Sequence, residues 1–511
     1  MSEENTAITG YDLIVRAVAR AVGLFSPSYA RKYLAQHEQL RSYESGKTTG
    51  IDRNWRGTSR TGNREIGPDW VRTTSRSRDL IRNNSFASYA VRNKVNYTVG
   101  GALWPRPRVR KADKTLDVVI NEMIEEQWCS WAECCCVDGR DWDDAKKLMF
   151  RHLESDGEGV IRFVASDAGP FLLELLEGDQ IDTKKDSLVI SADGSRTIRG
   201  IEYDRYGRPR AYWLLTSHPG DWAAPSYESV RVPASQIIHL FDPSRITEGR
   251  GICRYASAIL PSYSHDQQRG AVMDLLRIAA AYGIFIKTDH PEDELMQAES
   301  ENSAAGSEVT DSDGKPIKFV NPAGMHILGP GKSIETCKPD QPTSTFSEFE
   351  RSHLRMEAAG FNMSYETFTG DLSNANYSIY RAGQINERLG FRSDSDLMIR
   401  KMTTPIYRAW MDFEVLLNGM RLPGYLTRKR EYQRVSWSLP ALPSNDPTKD
   451  EEADKAALAN GTTNRHVISE RKGLDYEDVS ETLALEEKDR AARGLVSPAP
   501  TTQSPAPTSP E

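Results

Sequence analysis

The sequence predicts an α+β protein, mainly helical and built of several parts in series. Three patterns predict it: a cluster of short β-rich runs between Val160 and Leu240, amphipathic stretches on both sides of it, and a small insert of strands, residues 283–342, between two helical stretches. The 511 residues suffice for about three or four domains, or for one elongated subunit.

In chain order, Tyr11–Phe25 places Leu13, Ile14, Ala17, Val18, Ala21 and Val22 at helical spacing and ends at Ser26-Pro27. Residues 42–70 are rich in Gly, Ser, Thr, Asn and Arg, and read as an arm or long surface loop. A helical stretch follows from Trp70 to Val99 and stops at Gly100-Gly101. Val160–Val164, Phe171–Leu176, Ile198–Tyr203 and Ala211–Leu215 read as strands, with Tyr206-Gly207-Arg208-Pro209 as a hairpin turn between the last two. Helix resumes from Tyr255 to Tyr282, strands return in the insert with a turn at Asp311–Gly314, and Phe346–Ala359 is the returning helix. The order helix, insert, helix predicts that the two helices run back alongside each other.

Phe361–Asn376, rich in Gly, Asn and Ser, reads as a loop leading into a long helical region that reaches Asn418. Met398, Met402, Ile406, Trp410, Phe413 and Leu417 form one apolar stripe there, and Pro405 inside it predicts a kink. Three short helices follow, opened at Asp446-Pro447, Thr463 and Asp475 and closed at Gly461, Gly473 and Gly494, before a Pro/Thr/Ser tail over 497–511 that reads as disordered.

Net charge is −8, which argues against clamping DNA through the overall field. The charge is unevenly spread: residues 1–110 carry 19 Lys and Arg against 9 Asp and Glu, whereas Asp446–Arg490 is acidic. No stretch predicts a membrane span; the most apolar, Leu275–Ile286, has about 12 residues against the roughly 20 a bilayer needs, and contains Arg277. The acidic start Met1-Ser2-Glu3-Glu4 is unlike an export signal. Cys134–Cys136 has no second ligand pair for zinc, and reads as reduced thiols at the end of the helix bearing Trp128 and Trp131.

The patterns that carry enzyme chemistry fail in detail, so no catalytic, cofactor or metal site is expected. Gly46-Lys47-Thr48 and Gly331-Lys332-Ser333 end like P-loops, but Arg41 and His326 stand where the leading glycine must be. Asp311, Asp313 and Gly314 imitate a calcium loop whose first and twelfth positions would be Val309 and Val320. His239, inside Ile237–Phe241, reads as a hydrogen-bonded core histidine. Glu154, Asp156 and Glu158, crowded before a strand, read as a solvated surface.

The run from Phe361 to Arg381, with Asn376-Tyr377-Ser378 and then Arg381 leading into a helix, closely resembles the central signature of lambda-like phage portal proteins. Gly23–Pro27, Ser75–Asn84, Asp156-Gly157-Glu158, Ile237–Phe241 with Arg250-Gly251, Pro405–Trp410, and Asp446–Asn460 with Val467–Glu470 resemble the family in the same order, over about residues 11–495. Two departures stand out: Gly249-Arg250-Gly251 is shorter than the family's usual run, so no specific role is assigned there, and Cys134–Cys136 is unlike the family.

The resemblance implies a subunit with an N-terminal arm and wing (1–254), a stem helix (255–282), a clip (283–342), a returning stem helix (343–360), a tunnel loop (361–378), a kinked helix returning to the wing (379–437), a helical crown (438–495) and a tail (496–511). It also implies a ring of about twelve subunits joined head to tail, set at one vertex of a phage head and assembled in the host cytoplasm. Double-stranded DNA would pass through it, driven by a separate terminase, with capsid, scaffold and head-completion or adaptor proteins as further partners and no membrane. Asp371, Ser373, Asn374, Asn376 and Tyr377 are the residues expected to face that DNA. They carry no cation, as a conduit requires, since every Lys or Arg on a phosphate adds salt-dependent grip. The loop can equally be an ordinary one in which Asn376 caps the next helix, and both readings can hold together. A DNA-processing enzyme such as the terminase would need a complete P-loop and metal-binding carboxylates, and a head protein or tail adaptor would lack the insert between paired helices.

Overall fold

The computed structural model describes residues 18, 60–165, 169–187, 190–222, 228–280, 284–288, 309–310, 316–317, 332–336, 346–373, 377–441 and 447–494. The chain divides into two compact units, Met1–Thr61 and Gly62–Glu511, and all described sheets lie in the second. The expected helix at Tyr11–Phe25, all but Val18, and the tail over 497–511 lie outside the described residues.

Helix begins earlier than the composition of 42–70 suggests. α1 spans Gly62–Asn83, because Ile66, Trp70, Thr74, Ser77 and Leu80 recur every three or four residues and all are buried. Its start is pinned by the Gly62 N–H donating to Thr247 Oγ1 (2.8 Å), and by Asn63 accepting from the Gly249 N–H (2.7 Å). The single helix expected from Trp70 to Val99 is two. Asn84 leaves the helical region and its side chain accepts from Ala87 N, capping α2 (Ser85–Thr98).

β1 (Pro105–Pro107), α3 (Val118–Ala132) and α4 (Trp142–Ser155) lead into two antiparallel sheets. In the first, β2 (Glu158–Val164) lies between β3 (Leu172–Leu176) and β8 (Ile237–Phe241). The second is a meander of β4 (Arg196–Ile198), β5 (Ile201–Tyr203), β6 (Pro209–Leu215) and β7 (Ser229–Pro233). The strand expected over Ile198–Tyr203 thus splits at Arg199-Gly200, both at positive φ, whereas the predicted turn around Gly207 does join β5 to β6.

α5 (Ala256–Ala280) and α6 (Phe346–Gly360) bracket the insert and run antiparallel, as the helix-insert-helix order predicts. Glu357 accepts from Ser262 (2.9 Å) and pairs with His265 (2.7 Å), and Glu350 pairs with Arg269 (3.3 Å) further along. In the insert β9 (Ile284–Thr288) pairs with β12 (Lys332–Thr336), and β10 (Val309–Thr310) with β11 (Pro316–Ile317). The expected turn at Asp311–Gly314 lies outside the described residues, between paired Thr310 and Pro316.

The described part, 361–373, of the segment read as a loop from Phe361 to Asn376 is largely packed. Phe361, Met363 and Phe368 are buried, and a short helix α7 occupies Tyr365–Thr369. After it come α8 (Tyr377–Met398), a π-helical turn (Ile399–Thr403) and α9 (Thr404–Leu416). The break expected at Pro405 takes this form because Pro405 has no N–H for the Lys401 carbonyl. The Thr404 N–H instead reaches Ile399 O, five residues back. The turn also corrects register. Met398, Met402, Ile406 and Trp410 are spaced by four, a drift of about 40° per step on a regular α-helix, yet all four are fully buried. Leu417, expected in the same stripe, lies past the helix end and is exposed.

That stripe joins Trp128, Trp131, Trp142, Tyr407 and Trp437 in the largest core. α10 (Tyr425–Tyr432) and β13 (Val435–Trp437), paired with β1, close it. A second core gathers α1, α2, α5, α6 and Phe361, Met363 and Phe368; a third lies under the meander. α11 (Pro447–Ala459), α12 (Arg465–Arg471) and α13 (Tyr476–Ala492) follow, with no buried residue, and α12 is capped by Asn464, one residue beyond the expected Thr463. No helix among the described residues is long and apolar enough to cross a membrane.

Candidate functional site

Two places gather several of the family-like residues: the turn between α4 and β2, and the segment from Ser364 to α8. At the first, the expectation of a solvated acidic surface is wrong. Glu154, Asp156 and Glu158 are all fully buried, because four cations from three distant segments arrive to replace water.

Glu154 pairs with Lys94 of α2 (2.8 Å) and with Arg254 (2.9 Å), and Arg254 goes on to Asp242 and to Asp394 of α8 (2.7 Å each). Asp156 accepts two bonds from Arg78 of α1 (3.0 and 2.9 Å) and pairs with His152 (2.7 Å). Glu158 takes the Arg250 guanidinium through Nε and Nη2, the Gly251 N–H (2.9 Å) and the Nε2–H of His239 (2.9 Å). Arg250 also donates to Gly178 O (2.7 Å) and lies over Trp70, whose Nε1–H donates to Gly251 O (2.8 Å). Each carboxylate therefore ties α4 and β2 to a different element, and Arg254 carries the chain of pairs to α8.

Backbone closeness makes this possible. Gly157 sits at φ +85°, and a Cβ there would run into the backbone of Ile252; a Cβ on Gly251 would meet the Gly157 carbonyl. The two glycines let the acidic turn and the arginine segment touch main chain to main chain.

Burial alone would raise all three carboxyls. Arg250 and His239 outweigh it at Glu158, Lys94 and Arg254 at Glu154, and the bonds from His152 and Arg78 at Asp156, so each is held below its ordinary range. Asp394 moves the other way: burial raises it, Glu154 adds to that, and Arg254, engaged with both, does not offset them. Burial pushes His239 down despite Glu158 beside it. His239 is thus the hydrogen-bonded core histidine that its apolar setting predicts.

Among the described residues one group has metal-binding geometry, Glu177, Asp179 and His218. A cation is already there: Arg78 Nη2 lies 2.8 Å from Glu177 and 2.6 Å from Asp179. Of the run Cys134–Cys136, Cys135 and Cys136 are buried thiols within the tryptophan-rich core, their sulfurs 3.8 Å apart, and Cys134 is exposed.

At the second place α7 is anchored from α8. Glu387 accepts from the Ser364 N–H and from Thr367 Oγ1 (2.9 Å), while Phe368 packs on Phe361 and Phe86. Gly370 ends α7 in the left-handed region. Asp371 then folds on itself: it accepts from the Ser373 N–H (3.0 Å) and hydroxyl, and from Tyr365 OH (3.0 Å), bonds that hold its carboxyl below the usual range. Leu372 and Ser373 are exposed. Asn374 and Asn376 lie outside the described residues, and Tyr377 opens α8.

The sequence reading passed over Arg78, Arg250, Arg254 and the three acids as a site. A signal was present: Ser75–Asn84, Asp156-Gly157-Glu158, Ile237–Phe241 and Arg250-Gly251, read as separate points of resemblance, supply Arg78, two of the three acids, His239 and Arg250 to one junction.

Residues 48–394 match the model of the phage portal protein, lambda family. The chain is 26% identical over 453 residues to a probable portal protein of Halomonas phage phiHAP-1, covering 86% of this chain and 85% of that one. It is 21% identical over 481 residues to portal protein B of Escherichia phage lambda, covering 88% and 89%. A solved structure described as the neck of a native gene transfer agent particle, computed with C12 symmetry, aligns over 80% of this chain and 94% of its own, at 14% identity and a TM-score of 0.41. With two thirds of its length inside the family model and relatives matched nearly end to end, the chain belongs to the lambda family of phage portal proteins.

Proposed function

We propose that this portal subunit forms, with about eleven copies of itself, a ring at one vertex of a phage head in the virion, assembled in the host cytoplasm, and that double-stranded DNA enters and leaves through it. The ring guides and gates DNA and is not an enzyme; the terminase supplies the work. Residues 370–377 line the narrowest part of the bore. The observation that carries this reading is the chemistry of that segment: Asp371, Ser373, Asn374, Asn376 and Tyr377 include no cation, and Asp371 stays ionised through its bonds to Ser373 and Tyr365. A negative, hydroxyl- and amide-rich rim meets phosphate without gripping it, which suits sliding. The buried junction holds the far part of the helix that follows this segment, since Arg254 links Asp394 of α8 to the α4–β2 turn.

Deleting Ser373–Ala375 tests it: rings should still assemble, with DNA packaging or retention impaired, and normal phage yield would overturn the assignment. The insert, with its β9–β12 ribbon at the far end of the α5–α6 pair, is assigned to docking terminase and later head-completion or adaptor proteins. Substitutions in it that leave terminase binding and packaging unchanged would remove that assignment. Capsid and scaffold proteins remain the expected neighbours of the outer surface.

A further inference from the structure

A concavity of about 640 Å³ opens where β1, α9 and the segment after α10 meet, and four of the residues lining it are arginines: Arg108, Arg408, Arg430 and Arg434. Arg108 is neutralised within the chain by Glu477 (3.0 Å), with Ser436 and His466 taking its other nitrogens. The side chains of the other three make no ion pair or hydrogen bond among the described residues, and all three are exposed. The nearest acids along the chain are already engaged, Asp412 by Lys429 and Tyr425, and Glu431 by Arg428. The chain thus assembles three guanidinium groups around one hollow and, among the described residues, supplies no anion for them.

We propose that this concavity binds the phosphodiester backbone of duplex DNA, at a place separate from the bore. The 22 residues of α8 and five of the π turn lie between Tyr377 and Arg408's helix, a span of roughly 40 Å at 1.5 Å per residue. Arginine forks match phosphate oxygens in pairs, and exposed ones lose little hydration on doing so. The other polyanion to weigh is the acidic face of a second copy, offered by α11 or α13. A protein interface of that kind is held by a desolvated apolar or aromatic anchor, whereas among the described residues the one apolar side chain lining it is Val435, itself half-buried. Phosphate binding needs no such anchor.

The test is fluorescence anisotropy of a labelled duplex with the full-length assembled protein, across about 50 to 200 mM salt. R408Q/R430Q/R434Q should weaken binding at least tenfold. It should also make the slope of log K against log salt shallower by about 3 for each concavity engaged, near 0.9 for every phosphate that is no longer neutralised. R408K/R430K/R434K should keep the slope and lose only part of the affinity. R277Q, at an exposed arginine outside both the concavity and the bore segment, should leave both unchanged. Wild-type affinity and slope in the glutamine variant would overturn the proposal. So would a glutamine variant whose rings dissociate while its subunits bind DNA as before, which would give the concavity to a second copy. Loss of the slope in the lysine variant would overturn it too, because charge would not be its cause.

Discussion

At the α4–β2 turn, Glu154, Asp156 and Glu158 meet Lys94, Arg254, Arg78 and Arg250 with the carboxylates wholly out of solvent. Where β1 meets the last helices, Arg106 pairs with Asp475 and Arg108 with Glu477, and these pairs keep between 13% and 45% of their side-chain surface in water. The chemistry is the same and the consequences differ. A buried pair gains little over an apolar one but cannot be halved without stranding a charge, so it fixes which elements meet. A surface pair competes with water at every moment and contributes little. The junction is therefore where the β2 sheet, α1, α2 and α8 are locked in register, and the last three helices are held by pairs that can be changed singly.

The gap between the two regions should be widest at Glu158. Removing its carboxylate in Glu158→Ala leaves Arg250 buried without a counter-charge, and urea unfolding should show a loss of about 3–5 kcal/mol; a loss under about 1 would mean the junction behaves like a surface. Gly157→Ala should cost about 3 kcal/mol, because the left-handed backbone and the Ile252 main chain both resist a Cβ. A finer contrast lies inside the junction. Glu154→Gln takes from buried Lys94 its paired carboxylate and leaves Arg254 with only Asp242 and Asp394, whereas Asp394→Asn only makes permanent a neutralisation toward which burial already pushes Asp394. Thermal denaturation should therefore place Glu154→Gln at least about 2 kcal/mol below Asp394→Asn.

Acid should act in two stages. His239 is held neutral below its ordinary 6.5, so the unfolded chain takes up that proton first, and stability falls by at most about 1.4 kcal/mol per pH unit as pH drops through 6.5. The three depressed carboxyls act lower: their contribution is complete above the ordinary carboxylate range and is lost as pH falls through and below it. His239→Gln should flatten the first stage and leave the second, as read from unfolding free energy at pH 7.5, 5.5 and 4. The smallest effect is expected at the last helices, where Glu477→Gln should shift stability by less than about 1 kcal/mol.

Much of the architecture was legible because local patterns cause it. The antiparallel α5–α6 pair follows from two helical stretches around an insert, and the closing glycines of the last helices follow from the left-handed backbone that Gly461 and Gly473 adopt. The errors share one source. Residues 62–69 looked like part of an arm because their composition is polar, yet Ile66 and Trp70 are buried against partners far away in sequence, as the bond from Trp70 to Gly251 shows. Phe361, Met363 and Phe368 sit among loop-forming residues, and only the packing of α2, α5 and α6 around them turns that segment into core. For the residues proposed to face the bore, their lack of cations is a sequence property; the self-bonded turn at Asp371 and the Glu387 anchor required the fold.

By itself, then, the sequence determined the order of elements, their caps and breaks, and the family signature through Phe361–Arg381, since each depends on residues within a few positions of one another. Only the tertiary structure decided that Asp156-Gly157-Glu158 is buried and that Arg408, Arg430 and Arg434 are left open. A carboxylate's sequence neighbours say that it prefers water, but whether water is replaced depends on partners of opposite charge arriving from far along the chain. Lys94 reaches Glu154 across 60 residues, and Asp394 reaches Arg254 across 140. Charge acts through space, and distance in space is what a linear sequence does not record.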